Sequence, residues 1–428
     1  MVWIHGGGFF LGTSSDYDGS ILASQGQVIV VTLNYRLGAL GFLSTEDDII
    51  PGNFGMLDQV MALKWVRLNI RQFGGDPGQV TVLGQSAGGH SVSLLSLSPL
   101  TAGLFQRAII QSGASLTPSS ISRTSDIYSP KKISSKIGAK IGCLQLNSSS
   151  LLNCLRSKSL QDLLKADLDT VAEDESSFLI LWKPRVDGPL GFLPEHPRRL
   201  LAKGLFHNVD TMHGFCANEM GAFVNDTEND GVTLEECMES ILLNFYPFIM
   251  RNKSKFAEQV VKNYIQGLVS PIARRSKLIA VISDFQMTTP ITHEVESIVT
   301  SAKAPGKRHF LYRFSYRGSL LPQYPRWKGV SHALELPFLF GFPREMHSFW
   351  LGDHEPTPTD RKVSELVIQT WSNFAKYGHP TQQSPSSSWP EFTSRQRLLL
   401  DITERLAVQA VDWAYHESLY QLMNTCLF

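Results

Sequence analysis

Apolar residues in this chain come in short runs, and between several of the runs lie stretches with a helical period. Val2-Trp3-Ile4 is the end of one run. Gln27 to Tyr35, with Val28-Ile29-Val30-Val31 inside it, is too apolar for a half-exposed strand and predicts one buried on both faces. Gly55 to Phe73 repeats at helical spacing and predicts an amphipathic helix with Leu57, Met61, Trp65 and Leu68 on its apolar face. Val80 to Leu83 reads as a strand, His90 to Leu97 as a helix, and Arg107 to Gln111 as a further apolar strand. Strand, helix, strand, helix, strand in alternation predicts the α/β class, with a mostly parallel central sheet and helices on both faces.

From Ser115 the texture changes. Ser/Thr/Pro-rich loops and short helical patterns run to about Trp182, and Pro184 to Pro189 is rich in turn residues. Val209 to Phe215 predicts a strand leading to a turn at Cys216-Ala217-Asn218-Glu219. A mostly helical block covers Leu234 to Ser301. His309 to Ser315 returns to a strand, with Leu311, Arg313 and Ser315 alternating against Phe310, Tyr312 and Phe314. Gly329 to Glu335 is a short polar break before Leu336 to Phe340. Asp360 to Tyr377 predicts a helix, and Ser384 to Ser388 a surface loop. Neither an internal repeat nor a clean linker interrupts the chain, so residues 1–428 are expected to form one domain with helical insertions.

Composition narrows the class. A hydrophobic share of 43% supports a sizeable core. The 39 basic and 39 acidic residues give a net charge of +0, so bulk electrostatics favours neither nucleic acid nor an anionic membrane. No apolar run reaches the roughly 18–20 residues of a transmembrane helix. The five cysteines contain no C-x-x-C pair, which leaves no zinc or thioredoxin-type signal. Cys143 and Cys154 bracket a short Asn/Ser-rich loop that a disulfide would close. Asn147, Asn225 and Asn252 head N-x-S/T sequons, and together with the cysteine pair they point to a secretory, oxidising environment. Met1-Val2-Trp3-Ile4 runs into a glycine stretch with no signal-peptide pattern, and Thr425-Cys426-Leu427-Phe428 is neither a prenylation box nor an ER-retention signal.

The chemistry centres on Gly84-Gln85-Ser86-Ala87-Gly88. With a strand before it and a helix after it, this is the pattern of a nucleophile elbow: a sharp turn lifts the serine hydroxyl clear of the sheet at a helix N-terminus. Small flanking residues are needed where strand and helix pass close together. Upstream, His5-Gly6-Gly7-Gly8-Phe9-Phe10 is a glycine turn whose N–H groups can approach a ligand closely. Serine becomes a strong nucleophile only when a base takes its proton, and the base needs an acid to hold its tautomer. Pattern alone does not choose among 12 histidines. Loop positions in the C-terminal part leave His332, His347, His354, His379 and His416.

These features lie in the order found in one known family. The chain resembles the type-B carboxylesterase/cholinesterase-like family of α/β-hydrolases over most of its length. The match rests on His5-Gly6-Gly7-Gly8-Phe9, Asn34-Tyr35-Arg36-Leu37-Gly38, Gly41-Phe42-Leu43, Gly52-Asn53-Phe54-Gly55 and Leu57-Asp58-Gln59. It continues through Phe73 to Pro77, Gln85 to Gly89, Gln111-Ser112-Gly113, Val186-Asp187-Gly188, Gly329 to Glu335 and Phe374 to Gly378. The resemblance implies an α/β-hydrolase fold whose helical insertions shape a gorge. It implies Ser86 as nucleophile, Glu219 as acid and His332 as base. Gly7, Gly8 and Ala87 would supply the oxyanion hole, and Cys143–Cys154 the family's short disulfide loop. The implied chemistry is hydrolysis of a small-molecule carboxylic ester, with no metal and no cofactor. The implied location is secreted or in the ER lumen, and a homodimer is left open, as is the pairing of Cys216, Cys237 and Cys426.

Two departures qualify the resemblance. Gln85 stands where cholinesterases and many carboxylesterases carry glutamate, and juvenile-hormone esterases look like this sequence there. The glycine loop should follow the fold's third strand, yet only four residues precede His5, so the N-terminal strands are expected to be missing. Alternatives to a general esterase are a cholinesterase-like acylcholine hydrolase, an inactive fragment, and a neuroligin-like binding protein, a class that lacks the serine.

Overall fold

A computed structural model describes residues 1–144, 147–173, 181–245, 253–301, 306–321, 324–343, 352, 355–381 and 389–427. The predicted loop at Ser384–Ser388 lies outside them. Eight strands form one sheet: β1 (Val2–Ile4), β2 (Val31–Leu33), β3 (Thr81–Gln85), β4 (Arg107–Gln111), β5 (Asp210–Cys216), β6 (His309–Phe314), β7 (Leu398–Ile402) and β8 (Leu406–Ala410). Their order is β2-β1-β3-β4-β5-β6-β7-β8. Every pairing from β2 to β7 is parallel, and β8 closes the sheet antiparallel to β7. The expected α/β-hydrolase sheet is present. The hairpin β7–β8 was not foreseen; a Leu398-Leu399-Leu400 run and the turn Thr403-Glu404-Arg405 are its signal.

Side chains alternate across the sheet, as the period of a strand requires. Val2, Ile4, Val82, Ala108 and Ile110 enter one core, whereas Trp3, Leu83, Ile109, Phe310, Tyr312 and Phe314 enter the core on the opposite face. Helix α1 (Phe54–Asn69) and the elbow helix α2 (Ala87–Leu97) cover the first face. Three helices, α3 (Leu234–Phe245), α4 (Lys253–Tyr264) and α5 (Pro271–Ser283), build a separate apolar cluster beyond the sheet. Helix α6 (Thr289–Val299) follows them. A short α7 (Leu336–Phe340) and the long α8 (Pro358–Tyr377) cover the second face. Thr357 and Asp360 cap α8 reciprocally, and Gly378 ends it in the left-handed conformation.

Two expectations need correction. The apolar stripe expected to seat α1 faces outward: Leu57, Met61, Trp65 and Leu68 are all exposed, Met61 by 65% and Leu68 by 78%. Met56, Val60, Leu63 and Val66 are buried instead. That face also carries Gln59, whose Nε2 donates to Ser91 Oγ at 3.0 Å in the core. The second correction concerns Gln27–Tyr35. Only Val31–Leu33 pairs, it pairs only with β1, and its residues are mostly half-buried. It is an edge strand, as β8 is at the other end of the sheet, and not a doubly covered one.

Cys143 and Cys154 form a disulfide across a separation of 11 residues. Cys216 and Cys237 are buried free thiols, and Cys426 lies outside the described side chains. No described helix is long and apolar enough to cross a membrane.

Candidate active site

The polar residues singled out above meet at the carboxyl ends of β1, β3, β4 and β5, where a parallel sheet offers a crevice. Ser86 caps α2 with φ 59° and ψ −123°, an unusual conformation for a side chain with a Cβ. It is held there because its N–H donates to Gln111 O at 3.0 Å and its carbonyl accepts from His90 N at 2.8 Å. The turn tolerates no bulk: a Cβ on Gly88 would lie 2.0 Å from Ile4 O. That contact locks the first turn of α2 against the end of β1.

The glycine loop leaves β1 directly. Gly7 has φ 107°, a region closed to ordinary residues, and its carbonyl accepts from both Phe10 N and Leu11 N at 3.0 Å. Tyr35 stacks on His5 with ring centroids 4.5 Å apart and donates to His5 O at 2.9 Å. The loop is thus clamped from β2's side of the sheet. Among the described residues, no hydrogen bond occupies the N–H groups of Gly7, Gly8 or Ala87.

Glu219 is fully buried in the turn after β5. Its Oε1 accepts from Ser112 Oγ at 2.6 Å and from Cys216 N at 2.7 Å, and its Oε2 faces His332 Nδ1 at 2.5 Å. Backbone bonds join the two loops: His332 N donates to Glu219 O at 3.1 Å and Asn218 N to Val330 O at 2.9 Å. Burial pulls the His332 pKa down, but the charge and hydrogen bond of Glu219, aided by Glu335, outweigh it and hold the imidazole above its ordinary value. His332 Nε2 lies 3.1 Å from the side-chain nitrogen of Gln85. Among the described residues it makes no hydrogen bond to the Ser86 hydroxyl.

Sequence reasoning assigned no part to Ser112, Glu335 or Cys216, all of which surround the pair. Glu335 is buried at the start of α7, accepting from Gln111 Nε2 and from the Cys216 thiol, each at 3.1 Å. Burial first, and the charge of Glu219 second, raise its pKa. Burial and the same two carboxylates push the Cys216 thiol well up, so it stays protonated. The sequence signal was faint: polar residues next to strand ends, at Gln111-Ser112 and in the Gly329–Glu335 break.

Of the other candidate histidines, His379 packs edge-on against Phe310 and His416 bonds to Thr289, both away from Ser86. His347 and His354 lie outside the described residues, as does Asn252. Asn225 is exposed, and Asn147 is exposed while its side chain caps the helix that starts at Ser148.

Comparison with known proteins agrees with this layout. The model of the Carboxylesterase family matches residues 1–420. Neuroligin-3 of Homo sapiens is 35% identical over 430 aligned positions, covering 94% of this chain and 48% of that protein. Cholinesterase of Mus musculus is 36% identical over 417 positions, covering 94% of this chain and 65% of that protein. Neuroligin-2 of Mus musculus is 34% identical, again over 94% of this chain and 48% of its own length. The chain therefore spans about half the length of these neuroligins and 65% of the cholinesterase.

Proposed function

The chain belongs to the carboxylesterase family, and from that premise we propose that it is a serine hydrolase cleaving carboxylic esters through an acyl-enzyme. The observation that carries the proposal is the Glu219–His332 contact of 2.5 Å beside the elbow serine. Ser86 Oγ gives its proton to His332 Nε2 and attacks the ester carbonyl carbon. The N–H groups of Gly7, Gly8 and Ala87 donate to the resulting oxyanion, each worth about 2.7–4 kcal/mol in comparable sites. As the tetrahedral intermediate collapses, the carbon–oxygen bond to the alcohol breaks and His332 returns the proton to the leaving oxygen. Water then repeats the sequence, releasing the acid and restoring the Ser86 hydroxyl. Glu219 keeps Nδ1 protonated throughout and stabilises the transient imidazolium.

The chain acts in this reading as one domain, secreted or in the ER lumen, with exposed Asn147 and Asn225 as glycosylation sites. Gln85 brings no charge to the site, so a neutral ester is expected to exceed acetylthiocholine in kcat/KM when the acyl group is the same. The similarity to neuroligins supports a second reading, a non-catalytic binding protein. A fluorophosphonate probe decides between them. The hydrolase reading expects one adduct on Ser86, mapped by peptide mass spectrometry and lost in Ser86→Ala. Equal labelling of Ser86→Ala removes Ser86 as the nucleophile, and no labelling of the natural protein favours the binding protein.

A further inference from the structure

His332 Nε2 is the atom that must accept the Ser86 proton, and another group already faces it. Glu219, a carboxylate, can only accept, so the proton of the neutral imidazole sits on Nδ1 and Nε2 presents its lone pair. An amide nitrogen can only donate, and the Gln85 amide nitrogen lies 3.1 Å from that lone pair. Gln85 has little room. It is the last residue of β3, in register with Gln111, and only 3% exposed. Its amide oxygen stands beside the glycine loop, 3.1 Å from where a Cβ on Gly6 would be.

We propose that Gln85 is a positioning residue whose amide donates to His332 Nε2 at rest, favouring the neutral base and competing with the Ser86 hydroxyl for it. This inference rests on the hydrolase reading above. When Ser86 Oγ passes its proton to Nε2, the new imidazolium N–H meets an amide N–H, and two donors repel. The amide must then turn over to present its oxygen, or withdraw. It returns once His332 has protonated the leaving alcohol. The other charged or titratable groups facing the imidazole are few. Glu219 and Glu335 favour its charged form. His90, on α2, is pushed down to about 4 by burial and brings no charge at neutral pH.

The test compares the full chain with Gln85→Met, which keeps length but donates nothing, and Gln85→Glu, which replaces the donor with a charged acceptor. His332 is titrated by ¹⁵N NMR of its imidazole, and the acid limb of kcat/KM is measured on a neutral chromogenic ester. The midpoint is expected to rise from the natural protein to Gln85→Met and again to Gln85→Glu, the last by about one unit or more. Coincident midpoints, or a fall in Gln85→Glu, overturn the inference. If Gln85→Glu does not fold, the Gln85→Met comparison decides alone. Absence of ester turnover with the NMR order intact defeats the hydrolase reading and leaves the Gln85 contact standing; turnover without that order defeats the contact only.

Discussion

Among the described residues, two buried glutamates face a histidine and are hydrogen-bonded to serine. One is Glu219 with His332. The other is Glu294, on α6, with His213 on β5, at 3.5 Å. Ser93 Oγ donates to Glu294 Oε1 at 2.6 Å, and Ser115 donates to Oε2 through N–H at 2.7 Å and hydroxyl at 2.5 Å. The residue types are those of a triad, but the order of contact is not. Here the serine hydroxyls end on the carboxylate, as Ser112 does on Glu219, and both oxygens of Glu294 are taken by them, with Nε2 of His213 turned to the acid. In the other pair the imidazole lies with Nδ1 on the acid and Nε2 turned towards the elbow. His332 also keeps 18% of its side chain accessible, whereas His213 is sealed. The same residue types are arranged differently: only the Glu219–His332 pair leaves a partly open imidazole beside the elbow.

The comparison is tested most severely by the serines. Ser86→Ala is expected to lower kcat by about 10⁴-fold or more. Ser115→Ala is expected to keep turnover within a few-fold and to lose about 1.5–3 kcal/mol of stability. The reverse pattern, in steady-state kinetics and denaturant melts, would make Glu294 the working acid. Glu219→Gln leaves the wrong imidazole tautomer favoured and should cost about 10⁴ in kcat with the fold retained.

Glu294→Ala removes one partner from a sealed polar cluster. We expect a loss of about 3–5 kcal/mol, read as a shift in denaturant midpoint, with kcat per folded molecule nearly unchanged. Cys143→Ser with Cys154→Ser sets a scale remote from both pairs. Opening a loop this short should cost about 2–3 kcal/mol in the chain-entropy model. Equal stability of that double variant under oxidising conditions would refute it.

The smallest effect is the one that separates the pairs by sign. The pKa of His332 stands above its unfolded value, so its stabilising contribution is fully present below about 6.5 and is lost as pH rises through the folded value. In the proposed hydrolase, catalysis runs the other way, because only neutral His332 would accept a proton; kcat/KM should climb through that same folded value. Burial pushes Glu294 up, but His213, Ser115 and Ser93 outweigh it and hold the carboxyl below its usual range. Its contribution is therefore present above about 4.5 and lost as pH falls through the folded value. The stability gap between the natural protein and His332→Ala should close as pH rises above about 6.5, and the gap for Glu294→Ala should close as pH falls below about 4.5. Gaps that close in the same direction of pH would mean that one of the two charge assignments is wrong.

Local structure is the part most legible in the sequence. The strand Arg107–Gln111 matches residue for residue, and the elbow strand, Ser86 and α2 follow from the small residues around one turn. A strand and a helix that meet within five residues leave few conformations for the chain between them. α1 shows the limit. Leu57, Met61, Trp65 and Leu68 repeat at helical spacing, but so do Met56, Val60, Leu63 and Val66. Period identifies a helix and cannot choose between two apolar faces; burial of Gln59 against Ser91 accompanies the second. Likewise, Gln27–Tyr35 is apolar enough for a central strand, and only pairing reveals an edge.

By itself, then, the sequence determined the α/β alternation, the elbow, the glycine loop and a short list of histidines, because each is written in neighbouring residues or in order along the chain. Tertiary structure alone decided that Glu219 meets His332 across a separation of 113 residues, that Gln85 meets the same imidazole across 247, and that Glu294 is sealed with hydroxyls. Those contacts depend on β3 and β5 flanking β4 with β6 next to β5, and on how deeply each carboxylate is buried. Strand order and burial are properties of the whole packed core, and no local window of residues contains them.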